Sequence, residues 1–279
     1  MRGRGSGWPE RPIALRVRST GGSVQRIGVI GGSGLYEMEG LTRTGEHWIQ
    51  TPYGLASDAI ISGKLGGAEL FFLPRHGKRH RFLPSEVPYR ANIWALKKLG
   101  VDWVISISAV GSLREDIAPG GNVVLVDQFI DRTTGRDRTF FGDGLVAHVS
   151  MADPVCGTLH QYLRQAATDL NAKVHDSGTY VCIDGPAFST RAESNWFRSM
   201  GADVVGMTNL PEARLAREAE LSYCTVALPT DYDCWHAGHD AVTVEQVIKT
   251  LNENVALGRE LVRRVAPLIA AHQGPPPLA

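Results

Sequence analysis

An α/β fold is predicted for this chain of 279 residues: a single domain with a mixed, partly parallel central β-sheet flanked by helices. Three observations predict it. Short β-branched runs alternate with helical patterns from residue 26 to about residue 271. Several of the apolar runs break into glycine, small residues or hydroxyls, as strands of open sheets do at their ligand-facing ends. No internal repeat and no Pro/Gly/Ser-rich linker divides the span.

The elements follow in order. Strand 26–30 (RIGVI) runs into Gly31-Gly32-Ser33-Gly34, and residues 35–50 show no helical pattern. Strands 58–64 (DAIISGK) and 69–73 (ELFFL) precede a helix at 88–99 (PYRANIWALKKL). Strands 101–108 (VDWVISIS) and 122–127 (NVVLVD) lead to a helix at 156–170 and a strand at 178–183 (GTYVCI). Helix 190–200 opens on Thr190 with Glu193, the spacing of a capping box. After strand 202–206, a helix at 209–219 is signed by Asn209 ahead of Pro211 and Glu212. Strand 222–229 (SYCTVALP) precedes the last helix, 243–271, which opens on Thr243 with Gln246. Its apolar residues, among them Val244, Val247, Leu251, Val255, Leu261 and Val265, recur near the helical period.

Residues 1–25 are read as a disordered N-terminal extension, basic and without the apolar core of a secretory signal. Residues 26–271 form the folded domain, and 272–279 (the end of the chain, HQGPPPLA) are read as a flexible tail. Lysine plus arginine equals aspartate plus glutamate, 29 against 29, so no global field draws the chain to nucleic acid or an anionic membrane. No apolar run reaches the roughly 18–20 residues that cross a bilayer. Cys156, Cys182, Cys224 and Cys234 lack CxxC spacing and read as reduced, mostly buried thiols of a cytoplasmic protein.

The glycine turn poses the functional question. A dinucleotide fingerprint needs a third glycine and a following helix, and both are missing after Gly34. The Gly-Lys-Ser/Thr of a P-loop is absent, and Leu35 stands where an esterase elbow needs glycine. Taken alone, the turn could be merely structural. Two more runs end alike, however: FFLP in Arg75-His76-Gly77 and ISIS in Ser108-Ala109 followed by Gly111. Backbone N–H groups and hydroxyls with one arginine fork suit a small oxyanion such as inorganic phosphate better than a long cofactor. The bland alternative for Arg75 is a surface salt bridge.

Strand 222–229 ends in Pro229-Thr230-Asp231-Tyr232-Asp233-Cys234-Trp235. Two carboxylates two residues apart point to one side if the chain stays extended, where they could meet the amide-like edge of a purine. Solvated acids or a structural Asx turn are the alternative. A metal set of Cys234, His236, His239 and Asp240 matches no standard zinc spacing, and no metal is expected.

With these residues assembled, the chain resembles the trimeric purine nucleoside phosphorylase family, in its methylthioadenosine phosphorylase branch. The stretches IGVIGGSGL, TPYGLASDAI, RHGKRH, PSEVPYRANIWALK, SAVGSLREDIAPG, DQFIDRT, GPAFSTRAES, GADVVGMTNLPEA and TDYDCW carry the resemblance, in family order. It implies a nucleoside phosphorylase-like fold and a pentosyl transfer: phosphorolysis of methylthioadenosine to adenine and 5-methylthioribose 1-phosphate, in purine and methionine salvage. Adenosine or a 6-oxopurine nucleoside such as methylthioinosine is the alternative substrate. It implies no cofactor, phosphate as co-substrate, and a homotrimer or a dimer of trimers. It implies a phosphate site of Ser33, Arg75, His76, Ser108, Ala109 and Thr208. Met207 and Thr208 would lie against the ribose, and Phe188 and Ser189 would border the base. Asp231 and Asp233, with Tyr232 between them, would serve the purine edge, the two acids as catalytic groups. Val242, Val244 and Val247 would line the 5'-methylthio pocket, and His148 would reach the neighbouring subunit's site. Ala187 in GPAFS, where arginine is common, and Asn209-Leu210 depart from better-known members.

Overall fold

A computed structural model describes residues 24–32, 34–236 and 244–277, and along 244–249 and at 251 it describes the backbone alone. Ser33 and Val242 lie outside the described residues, as does Thr243 at the expected start of the last helix. Val244 and Val247 are placed on that helix by backbone only.

The first strand is β1 (Arg26–Gly31), followed by β2 (Thr42–His47), a short hairpin of β3 (Gln50–Thr51) and β4 (Gly54–Leu55), β5 (Ile60–Leu65) and β6 (Ala68–Pro74). Helix α1 (Tyr89–Lys98) leads to β7 (Trp103–Ser112), β8 (Asn122–Val126) and β9 (Gln128–Asp131). Then come α2 (Gly157–Asp169), β10 (Lys173–His175), β11 (Thr179–Cys182), α3 (Arg191–Ser199) and β12 (Val204–Gly206). The chain closes with α4 (Asn209–Glu218), β13 (Ser222–Asp231) and α5 (Val244–Ala270). The main sheet runs β10-β8-β13-β7-β1-β6-β5-β2, and a branch of β9, β11 and β12 joins it through an antiparallel β12–β7 pairing. Strands β6, β1, β7 and β13 are mutually parallel, while β8 and β5 run against them. The mixed sheet expected from the sequence is therefore observed, with the carboxyl ends of four parallel strands at one edge.

The period of two along β7 sorts its side chains onto two faces. Trp103, Ile105 and Ile107 pack with α2 and α5 residues such as Leu159, Leu163, Leu261 and Val265. Val104 and Val110 pack on the other face with Ile93 and Leu96 of α1 and Ala213 and Leu215 of α4. Ser106 and Ser108 share that second face by register, so two hydroxyls enter an otherwise apolar layer. A third cluster, Leu113, Val181, Phe197, Ala202 and Val205, seats α3 beneath the β11–β12 branch.

Local signals explain most boundaries. Thr190 and Glu193 close the expected capping box on α3. The start of α4 corrects the sequence reading. Asn209 makes no cap; its amide donates to Ser106 Oγ at 3.0 Å and Tyr223 Oη at 3.0 Å. Leu210 is non-helical (φ −122°, ψ 131°), as expected for a residue that precedes proline, and regular helix begins at Pro211. β13 carries a bulge: Pro229 pairs with Val110 and Asp231 with Gly111, leaving Thr230 as the extra residue. Residues 272–277, within the stretch read as a flexible tail, touch the domain at two points. The His272 ring meets Tyr162 Oη at 2.9 Å, and Ser222 Oγ donates to the Pro277 carbonyl at 2.8 Å. No helix among the described residues is long and apolar enough to cross a membrane.

Candidate active site

The site is built where β1, β6, β7 and β13 stop. Because β1 lies between β6 and β7, the three strand ends predicted to converge are neighbours. The Arg75 backbone N–H donates to Gly31 O at 2.9 Å, which ties the arginine loop to the glycine turn. A Cβ on Gly31 would lie 2.4 Å from Leu35 Cδ1, so a side chain there would have to displace the buried end of Leu35. From the opposite side, Arg259 of α5 donates its Nε to Gly34 O at 2.7 Å.

Arg75 is not on the surface; it is 4% exposed and paired with Glu212, which is 2% exposed. Its Nε donates to Glu212 Oε2 at 2.8 Å. Its Nη2 donates to Glu212 Oε1 at 3.1 Å and to Ser106 Oγ at 2.6 Å, and Nη1 to Ile107 O at 3.1 Å. Of five guanidinium hydrogens, one on Nη1 stays uncommitted within this network. Ser106 and Tyr223 also donate to Glu212 Oε1, at 2.6 and 2.9 Å, and Thr225 Oγ1 donates to Tyr223 Oη at 3.1 Å. Burial works against the arginine's charge, and Glu212 more than offsets it, holding Arg75 above its ordinary pKa. Sequence reasoning did not find this network, because Glu212 reads as an ordinary first-turn acid and Ser106, Tyr223 and Thr225 as members of apolar strands.

His76 is half-buried. Its Nδ1 lies 2.9 Å from the Phe82 carbonyl, which fixes the proton on Nδ1, and its ring stacks on His80 at 4.1 Å between centroids. Burial pushes its pKa down to about 4, with the Arg75 charge adding to the effect, so His76 is neutral at physiological pH. Ser108 is buried, and Ala109 beside it is exposed on β7. The Ser108 hydroxyl acts on Tyr180 Oη, to which the Thr208 N–H also donates at 3.3 Å. Tyr180 thus brings Ser108 and Thr208 together, and Gly206 makes room for it: a Cβ there would sit 2.0 Å from the phenolic oxygen. Met207 is partly buried, and its Sδ would lie 2.4 Å from a Cβ on Gly185.

The carboxylates meet, though not by extension. After the bulge, Asp233 takes φ +49° at the start of a 3-10 turn, Asp233–Trp235. Its N–H donates to Asp231 Oδ1 at 2.8 Å, the Asx turn that stood as the alternative, and Thr230 Oγ1 donates to Asp231 Oδ2 at 2.8 Å. Burial raises both carboxyl pKa values, and the charge of Asp231 adds to the rise at Asp233. Asp233 Oδ2, Ser189 Oγ and Ser194 Oγ are all buried without a hydrogen-bond partner. Both serine hydroxyls act on the Asp233 carboxyl, which places the three atoms in one cluster. Two hydroxyls beside one carboxyl can donate to it, and a carboxylate oxygen has lone pairs for a further donor as well. Tyr232 turns away, stacking on His236 at 4.7 Å and donating to Glu115 O at 3.2 Å.

Phe188 is 76% exposed, projecting from the loop that also carries Ser189. His148 is exposed in a loop whose neighbours Leu145, Val146 and Val149 are exposed too. No cluster of metal-ligating side chains occurs among the described residues.

A family model described as the phosphorylase superfamily matches residues 26–267. The S-methyl-5'-thioadenosine phosphorylase of Geobacter sulfurreducens is 58% identical over 240 residues, covering 86% of this chain and 84% of that protein. The crystal structure of a methylthioadenosine phosphorylase sourced from an antarctic soil metagenomic library superposes with a TM-score of 0.86 at 51% identity, covering 90% of this chain and 88% of the other. The methylthioadenosine phosphorylase of Schistosoma mansoni in complex with adenine gives a TM-score of 0.85 at 40% identity, covering 90% and 93%.

Proposed function

This chain belongs to the phosphorylase superfamily, and from that premise we infer that it catalyses phosphorolysis of S-methyl-5'-thioadenosine to adenine and 5-methylthioribose 1-phosphate. The observation that carries the base assignment is the pair of desolvated carboxyls, Asp231 and Asp233, with the hydroxyls of Ser189 and Ser194 beside Asp233. A carboxylate oxygen accepts more than one donor, and the 6-amino group of adenine supplies a further one. A 6-oxo group would oppose acceptor to acceptor, a mismatch of about 1–3 kcal/mol.

Phosphate is the nucleophile, so no side-chain nucleophile is needed. One phosphate oxygen bonds to C1' on the face opposite the base while the C1'–N9 bond breaks, and its electron pair passes to the purine. Arg75, His76, Ser108, Ala109 and Thr208, with Ser33 in the glycine turn, hold the phosphate; Met207 and Thr208 bear on the ribose. Alignment of this kind is worth roughly 7–11 kcal/mol when it is good. As the ribose becomes cationic, its attraction to the phosphate beneath it grows, which favours the transition state. Asp231 hydrogen-bonds to or protonates N7, so that adenine does not leave as a bare anion. Its raised pKa supports that role, since a desolvated carboxyl holds its proton longer. Val242, Val244 and Val247 form the apolar pocket for the methylthio group. No cofactor enters the scheme.

The enzyme assembles as a trimer in this reading. Support comes from the loop around His148, where Val146 is 77% exposed and Leu145 and Val149 are exposed beside it. Such an apolar edge suits burial against a second copy that receives His148. The four free thiols suit a reducing cytoplasm.

The test is to incubate the protein with methylthioadenosine and with inosine, each with and without phosphate, and to measure free base. Phosphate-dependent adenine release is expected. Asp231→Asn should lower it and shift preference toward inosine; unchanged selectivity would remove Asp231 from its role.

A further inference from the structure

The geometry points to Arg136 as a positioning residue that locks the base-binding loop to the ribose-binding loop, an inference that rests on the phosphorolysis reading above. Arg136 follows β9 in the run DRTTGR, and its side chain is 1% exposed. Nη1 donates to the Met207 carbonyl at 2.8 Å and to the Leu210 carbonyl at 2.7 Å. Nη2 donates to the Asp184 carbonyl at 3.0 Å, with Ile183 O at 3.4 Å and Ser85 Oγ at 3.3 Å. The Asp184 carboxylate lies 3.6 Å from Nε and also accepts from Thr134. The guanidinium sits over the Tyr89 ring at 5.5 Å.

These acceptors belong to separate parts of the site. Ile183 and Asp184 begin the loop that continues through Gly185-Pro186 to Phe188 and Ser189. Met207 is the proposed ribose contact and adjoins Thr208. Leu210 precedes the helix whose Glu212 grips Arg75. One planar fork therefore fixes the spacing between base and ribose contacts. Four carbonyls share the two terminal nitrogens, a set that a guanidinium fork can meet and a lysine's single ammonium cannot. Arg136 touches none of the reacting atoms; it acts through Met207 and the 184–189 loop.

The experiment compares wild type with Arg136→Lys, which keeps the charge but not the fork, and with Arg136→Ala assayed with and without guanidinium ion. Folding is checked by circular dichroism and oligomeric state, and rates are expressed per folded molecule. A positional error of about 1 Å costs on the order of 10²-fold in rate. Arg136→Lys should accordingly lose about 10²-fold in kcat/KM for methylthioadenosine, while its KM for phosphate stays close to wild type. Arg75 keeps its own grip on Glu212 in that variant. Guanidinium should restore part of the Arg136→Ala activity. The inference is overturned if per-molecule kcat/KM is unchanged in folded Arg136→Lys, or if both substrates' KM values rise together. Wild type that releases no adenine with phosphate would bring down the activity reading and this inference together, whereas active wild type with an indifferent variant sinks the inference alone.

Discussion

Replacing Glu212 by Gln removes one charge from the buried pair while keeping its shape. In the native protein Glu212 Oε1 receives Ser106, Tyr223 and Arg75 Nη2, and Oε2 receives Arg75 Nε. The amide oxygen of Gln can keep only one of these positions. Serving the three donors at Oε1 leaves its NH2 facing the Arg75 Nε–H, donor against donor. Arg75 is 4% exposed, so water cannot take over as its counterpart. Breaking a buried pair from one side costs about 3–5 kcal/mol, a large share of the roughly 5–15 kcal/mol that holds a domain folded. The expected result is an unfolding free energy, from urea titration at equal protomer concentration, lowered by that amount. A KM for phosphate raised by about tenfold should accompany it, equal to about 1.4 kcal/mol of displaced Arg75. Nucleoside KM should change little. Destabilisation below about 1 kcal/mol with an unaltered phosphate KM would show that the pair neither holds the fold nor aims the arginine.

Other outcomes follow from the same site. For Asp233 the native pKa is raised, so the folded protein binds more protons than the unfolded chain, and stability falls as pH climbs from about 3.9 through the native value. Asp233→Asn should therefore raise the melting temperature of the ligand-free protein near neutral pH and lose that advantage in acid; a lower neutral melting temperature would contradict it. His76 has the opposite sign: its pKa is lowered to about 4, so stability is lost as pH falls from about 6.5 toward that value. His76→Gln should flatten the melting profile across that window, as calorimetry can check. Gly206→Ala forces a Cβ to 2.0 Å from the Tyr180 oxygen, which Thr208 N–H contacts. It should cost about 1–3 kcal/mol by overpacking and raise the KM for phosphate. Denaturant titration with initial rates separates those two effects.

Apolar runs with clear endings were legible in the sequence. β1, β6, β7 and β13 were readable because buried parallel strands are almost continuously hydrophobic, and their polar terminations lie where the cleft forms. β2 escaped notice, since Thr42–His47 (TRTGEH) is an edge strand with exposed polar residues and no apolar alternation. β9 was missed for a related reason: its four residues merge with the β8 run and pair only with the distant β11. At the site, Arg75 and the two acids were visible as chemistry at strand ends. Glu212, Tyr180 and Arg136 were not, because nothing local distinguishes a buried charge from a solvated one. Their partners are remote in sequence: Glu212 and Arg75 are 137 residues apart. At Asp233 the sequence left extension and an Asx turn both open, because a positive φ cannot be inferred from alternation, and the structure has the turn.

The extra residue in β13 has a consequence beyond the strand itself. Up to Pro229 the ladder with β7 is unbroken, and Thr230 resets its phase before Asp231. Deleting Thr230 would leave the aspartate opposite Gly111 in a regular ladder, but would remove the hydroxyl that donates to its Oδ2 at 2.8 Å. A phosphorylase lacking that residue would present the same acid with one hydrogen-bond donor fewer, and so with a carboxyl that takes up a proton more readily.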